Sequence, residues 1–144
     1  MKQKIFLLLL LSFILNSGFT QSTVTISING IKKGEYTINT DQSTADLDIK
    51  KADCKNMNQL LVQIKGEFIG ISVYKRSLDI TDKNNQVLLN IAESTIGQFT
   101  ITDKKIITLI QKGIPIQFFL LMEPANERLM IASKHIYMGT LTAK

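Results

Sequence analysis

Between Ser22 and the C-terminus, apolar side chains recur mostly at every second position, in short runs separated by polar turns, which is the period of a half-buried β-strand. Val24, Ile26 and Ile28 alternate with Thr25 and Ser27, and Asn29-Gly30 closes that run with a hairpin signal. Gly34 precedes a second strand, Glu35 to Asn39. Ala45, Leu47 and Ile49 alternate with Asp46 and Asp48, which predicts a third strand with its apolar side on the core and both carboxylates in water. Leu60 to Lys65 and Phe68 to Lys75, the latter continuing toward Ile80, are separated by Gly66-Glu67 and predict a hairpin. The polar turn Asp82-Lys83-Asn84-Asn85 leads into Val87 to Ala92, compact enough for a central strand, and Gly97 to Thr102 comes next.

One segment departs from the period of two. Ile106, Ile107 and Ile110 fall at helical spacing and predict a short helix near residues 103–112. Thr102 is placed to cap its start, Asp103 complements the dipole there, and Gly113 suits a left-handed terminator. Lys104 and Lys105 are expected to face water while the isoleucines cover one end of the core. Pro115 then opens Ile116 to Met122, whose near-continuous apolar run predicts burial on both faces. Pro124-Ala125-Asn126-Glu127 turns the chain into a last strand from Arg128 to about Tyr137. Roughly nine short strands and one helix predict an all-β protein, a β-sandwich with a partly closed barrel as the alternative.

The N-terminal segment has a different pattern. Lys2 and Lys4 precede an apolar run from Ile5 to Leu15, broken by Ser12, and Asn16 to Thr20 supplies small and polar residues. This is the layout of a secretory leader, with cleavage expected between Thr20 and Gln21. At about 1.5 Å of rise per residue the apolar run covers roughly half of a hydrocarbon core, too little for a spanning anchor. Cys54 lies far from the new amino terminus, so no acyl anchor is expected. Residues 21–144 then form one domain, long enough to bury a core without metal or disulfide staples, and no proline- or serine-rich linker divides it. The expected location is secreted or periplasmic.

Charge adds little. The 144 residues carry a formal net charge of +5, and loss of Lys2 and Lys4 with the leader lowers it to +3. Basic doublets at Lys32-Lys33, Lys50-Lys51, Lys75-Arg76 and Lys104-Lys105 are spread out and interleaved with acids. A nucleic-acid footprint would cluster them with stacking aromatics, so no nucleic-acid partner is expected. The lone Cys54 cannot form an internal bridge; it is a half-buried structural thiol, or else an intermolecular disulfide or reactive thiol.

Side chains that carry chemistry are scarce. His135 is the single histidine, expected as a partly exposed strand residue. A hydrolase would have to bring a serine or Cys54 to it together with an orienting acid, and no nucleophile-elbow pattern occurs. One histidine and one cysteine make a structural zinc site unfavourable. Asp46, Asp48, Asp53, Asp79 and Asp82 are the acids that could pair, yet alternating aspartates on an exposed face commonly just keep an edge soluble. The Asp82 turn lacks the glycine and terminal glutamate of a calcium loop, no tryptophan is present to stack a sugar, and the isolated Gly66, Gly70, Gly97 and Gly113 form no phosphate-cradling motif. No catalytic residue, metal or cofactor is therefore predicted, and the protein is expected not to be an enzyme.

Gly97-Gln98-Phe99-Thr100, the short basic helix ending Gln111-Lys112-Gly113, the apolar strand after it and the turn Asn126-Glu127-Arg128-Leu129 before a final strand together resemble the last β-rich domain of the periplasmic ring-and-shaft protein of gliding motility and type IX secretion. The resemblance covers about a third of the chain. It implies a module that makes protein–protein contacts without an active site, as an accessory to an envelope or secretion assembly. Ile114 and Pro115 follow Gly113 where that family tends to carry an acid. The leading expectation is an exported β-sandwich that binds another protein in the periplasm or at the cell surface through an uncovered strand edge or an apolar patch. The alternative is a carrier of a small apolar ligand, with Phe68, Phe118, Phe119 and Met122 lining a cavity between the sheets.

Overall fold

The computed structural model describes residues 21–38, 46–66, 69 and 72–144. The proposed leader, residues 1–20 with Thr20 on the cleavage bond, lies outside the described residues; Gln21 is the first within them and is exposed. The described residues form nine strands and two helices: β1 Ser22–Ile28, β2 Ile31–Ile38, β3 Asp46–Ile49, α1 Lys51–Cys54, β4 Leu60–Lys65, β5 Tyr74–Thr81, β6 Val87–Ala92, β7 Gln98–Ile101, α2 Lys104–Gln111, β8 Ile116–Pro124 and β9 Lys134–Ala143.

The strands form two sheets, ordered β2-β1-β4-β7 and β3-β9-β8-β5-β6, and neither closes on itself, so the architecture is a sandwich and not a barrel. All pairings are antiparallel except β3 with β9. Val24, Ile26, Leu60, Val62, Ile64, Phe99 and Ile101 from the first sheet meet Leu78, Ile80, Phe118, Leu120, Met122 and Met138 from the second, all at most 1% exposed. Tyr36 crosses between the layers, its hydroxyl donating to the Met138 carbonyl. At the β2–β3 margin Gly34 makes room for Leu47, since a Cβ there would stand 2.7 Å from the Leu47 Cδ1.

Local signals account for the turns and the longer helix. Asn29 and Gly30 have φ of 49° and 81°, as a two-residue type I′ hairpin requires. The cap of α2 is Asp103, whose carboxylate accepts from the Ile106 amide at 3.0 Å, and not Thr102 one residue earlier. Its C-terminus is a Schellman motif: with Gly113 at φ 76°, its amide donates to the Ile110 carbonyl and the Ile114 amide to that of Leu109. Ile106, Ile107 and Ile110 are buried as the spacing predicts.

Four expectations give way to tertiary pairing. β4 and β5 are not a hairpin: β4 lies between β1 and β7 while β5 lies between β8 and β6, so the intervening chain passes from one sheet to the other. The strand also begins at Tyr74, after turn residues Ser72 and Val73, and Phe68 lies outside the described residues. β6 is an edge strand and not a central one. β8 is buried on one face only, with Gln117, Phe119 and Leu121 half-exposed on the other, because among the described residues no third layer covers the outside of the larger sheet. The last strand starts at Lys134 and runs to Ala143; the β8–β9 ladder stops at the Met122–Lys134 pair, and residues 128–133 before it are in no strand. A second helix, the single turn α1, was not signalled, being too short to show a period; its Lys51 amide donates to the Lys144 carbonyl at 2.7 Å and thereby continues the β3–β9 margin.

Candidate interaction surface

The residues singled out for chemistry separate in space or are consumed by neighbours. His135 on β9 and Asp79 on β5 do meet, across β8 on the open outer face of the larger sheet, with Nε2 and Oδ2 3.2 Å apart. Asn90 on the adjacent β6 donates its amide to the other carboxylate oxygen of Asp79 and to Ser77 Oγ. Phe119 stacks on the His135 ring with centroids 4.8 Å apart, and Tyr137 tilts against Phe119 at 5.3 Å. The imidazole is about half exposed, on the face of the sheet turned away from the core. Ser77 accepts from Asn90, and no hydrogen bond joins its hydroxyl to the imidazole. The physical role of the imidazole is to cap a carboxylate that the sheet has largely desolvated.

Asp46 is exposed at the start of β3, and the other three acids are engaged singly. Asp48 pairs with Lys144 at 2.6 Å and Asp53 with Lys33 at 3.0 Å. Asp82 turns its carboxylate on its own loop, accepting from the amides of Asn84 and Gln86. Among the described residues no three His, Cys, Asp or Glu side chains cluster to hold a metal ion. Cys54 is fully buried at the end of α1, more so than the half-buried thiol expected, and desolvation raises its pKa, which disfavours the reactive thiolate. Gln111 on α2 donates to the Cys54 carbonyl at 2.9 Å and so pins the two helices together.

The proposed ligand lining does not assemble either. Phe118 and Met122 point into the core, while Phe119, one residue along the same strand, faces outward.

What stands out is the distribution of exposed apolar side chains. Eight large hydrophobic residues are exposed among the described residues, and Val73, Ile96, Leu129, Met130 and Ile131 are five of them. All five sit on connections at one end of the sandwich, where β4, β6 and β8 finish and β5, β7 and β9 begin. Met130 is wholly exposed and Ile96 is 75% exposed. The connections are braced. The Ala125 amide donates to the Val73 carbonyl at 2.8 Å, the Tyr74 hydroxyl donates to the Ala132 carbonyl at 3.3 Å, and Lys134 lies over the Tyr74 ring. Arg76 and Glu93 form an ion pair at 2.9 Å, largely buried, and Glu93 also accepts from the Gly97 amide. Gly97, at φ 74°, in turn accepts from the Ile64 amide at 2.7 Å. Beside this pair opens a cleft of about 550 Å³, lined by Ile64, Gly66, Ile69, Ser72, Arg76 and Ile96 among others. A smaller hollow of about 420 Å³ lies at the other end, by Lys51, Ala52, Lys55 and Gln111. Sequence reasoning had no means of finding the apolar end: Val73, Ile96 and Met130 each read as an ordinary strand or turn residue until the topology brings their loops together.

No protein-family profile, curated protein or solved structure matches the chain.

Proposed function

We propose that this protein is an exported, non-enzymatic β-sandwich that works by binding another protein in the periplasm or at the cell surface, as an accessory to an envelope or secretion assembly, and that the apolar end is its contact. The observation that carries the proposal is the concentration of exposed large hydrophobic side chains on braced loops at that end. Scattered exposed hydrophobics are ordinary on a soluble protein; a contiguous group on loops held by a rigid scaffold is where recognition concentrates. Met130 supplies a wholly exposed anchor, and the cleft lined by Ile96 at the same end supplies a recess for an anchor from the partner. The chemistry found on the outer sheet face is compatible with a binding role, since its polar groups satisfy one another and offer no reacting pair.

The test is in-cell crosslinking followed by affinity recovery from the envelope of the producing cell, comparing the native protein with Met130→Asp, Ile96→Asp and the remote control Ile31→Asp. A single partner recovered with the native protein and the control, and lost with both apolar-end variants, is the expected outcome. Recovery of nothing above background, or of the same partner with all four proteins, refutes the proposal. The cleft volume favours one second reading, a carrier of a small apolar molecule held at this end instead of between the sheets. Extraction of a bound lipid-like compound from the native protein, absent from Ile96→Asp, would favour that reading.

A further inference from the structure

We infer that β6 is a self-association edge, through which two copies of this chain join their larger sheets into one continuous ten-stranded sheet. A two-sheet sandwich has four edges, and each presents main-chain donors and acceptors that invite another strand unless something blocks them. Three of the four are blocked here. β2 carries Lys32, Lys33 and Glu35, already engaged in ion pairs with each other or with Asp53, so a strand added there would have to displace or desolvate them. β3 is four residues long and carries Asp46 and Asp48; self-pairing would bring four carboxylates together. β7 is also four residues long, and its first residue is spent on its own turn: the Gln98 amide donates to the Thr95 carbonyl, and the Gln98 carbonyl accepts from the Ser94 amide.

β6 carries no charged side chain and spends no backbone group on a turn of its own; its one irregularity is a bulge at Leu88, where Ile80 faces Leu89 and Thr81 faces Val87, which leaves Leu89–Ala92 as its regular ladder. Its six residues, Val87-Leu88-Leu89-Asn90-Ile91-Ala92, contain no charge and no proline, and among the described residues its only strand partner is β5. Five of the six are apolar and none is fully buried: Val87 and Ala92 are exposed, and Leu88, Leu89 and Ile91 are half-buried at the margin of the core. A second β6 running antiparallel meets the same uncharged sequence reversed, so the pairing is self-complementary, places no like charges opposite one another, and covers the half-buried leucines and isoleucine of both copies. A closed two-fold pair also uses up the edge, whereas an unpaired apolar edge of this length would recruit strands without limit. Leu129, Met130 and Ile131 lie on the β8–β9 connection, with β5 between β8 and the β6 edge, whereas Ile96 follows β6 directly.

Sedimentation of the exported protein between about 1 and 100 µM, a span that brackets micromolar affinity, tests the inference. The native protein is expected to rise from the mass of one chain to that of two. Val87→Lys and Ala92→Lys, both at exposed positions that leave the fold intact by circular dichroism, should each weaken the dimer by about tenfold or more, a change of 1.4 kcal/mol or greater. Ile31→Lys on the β2 edge should leave it unchanged. A native protein that stays a single chain at about 100 µM, a dimer that survives both β6 substitutions, or association that continues past two chains would each overturn it.

Discussion

Asn29 offers the most demanding test of how the smaller sheet is held. It occupies the first turn position of the β1–β2 hairpin at φ 49°, and its side chain also reaches the segment leading into β4: Oδ1 accepts from the Asn58 and Gln59 amides at 2.9 and 3.1 Å, and Nδ2 donates to the Asn56 carbonyl at 2.8 Å. Three largely exposed hydrogen bonds, at about 0.5–1 kcal/mol net each, contribute roughly 2 kcal/mol. Placing an alanine in the left-handed region costs about 1 kcal/mol more, which glycine avoids. Asn29→Ala should therefore lose about 3 kcal/mol and Asn29→Gly about 2 kcal/mol. Equilibrium urea unfolding of residues 21–144, followed by circular dichroism, resolves both the losses and the gap between them. Two variants within about 0.5 kcal/mol of the native protein, or a glycine variant less stable than the alanine one, would show that the side chain does not tie the hairpin to β4.

Three further outcomes follow from particular contacts. Gly97→Ala should be the most damaging small substitution, by about 3 kcal/mol or more or by failure to fold, since a Cβ would stand 2.2 Å from the Ile64 carbonyl oxygen at a positive φ; soluble yield and melting temperature check it. Tyr36→Phe should cost about 1–2 kcal/mol, because the Met138 carbonyl loses its inter-sheet donor. Burial pushes the Tyr36 phenol well above its ordinary value, so the folded state keeps its proton while the unfolded chain releases it; stability should fall as pH rises past about 10, and less steeply in Tyr36→Phe, as a urea series across alkaline pH would read. Cys54, buried with a raised pKa, should resist a thiol reagent in the native protein and react at the rate of a free thiol in urea; prompt native labelling would contradict that burial.

Much of the fold is legible in the order of residues because it depends on local periods. The alternation of Val24, Ile26 and Ile28, the Asn29-Gly30 turn, and the isoleucines of α2 between Asp103 and Gly113 each commit a short stretch to one geometry before any distant partner is met. The same local chemistry left pairing open. Gly66 breaks the run after Lys65 whether the chain folds back as a hairpin or passes to the other sheet, and only the claims of β1 and β7 on β4 decide. Leu129 to Ala132 has the composition of a strand, but a strand needs a neighbour, and the β8–β9 ladder stops at the Met122–Lys134 pair. His135 and Asp79, distant in sequence, are placed side by side only by the β5–β8–β9 register.

What the chain determines by itself is thus its class, nine strands' worth of alternating pattern around one helix, and a poverty of reactive side chains, because period and composition are local properties. Which strands become edges and which loops share an end depends on long-range hydrogen bonding, and that choice belongs to the tertiary structure alone. The uncharged rim at β6 and the apolar end around Met130 exist only once it has been made.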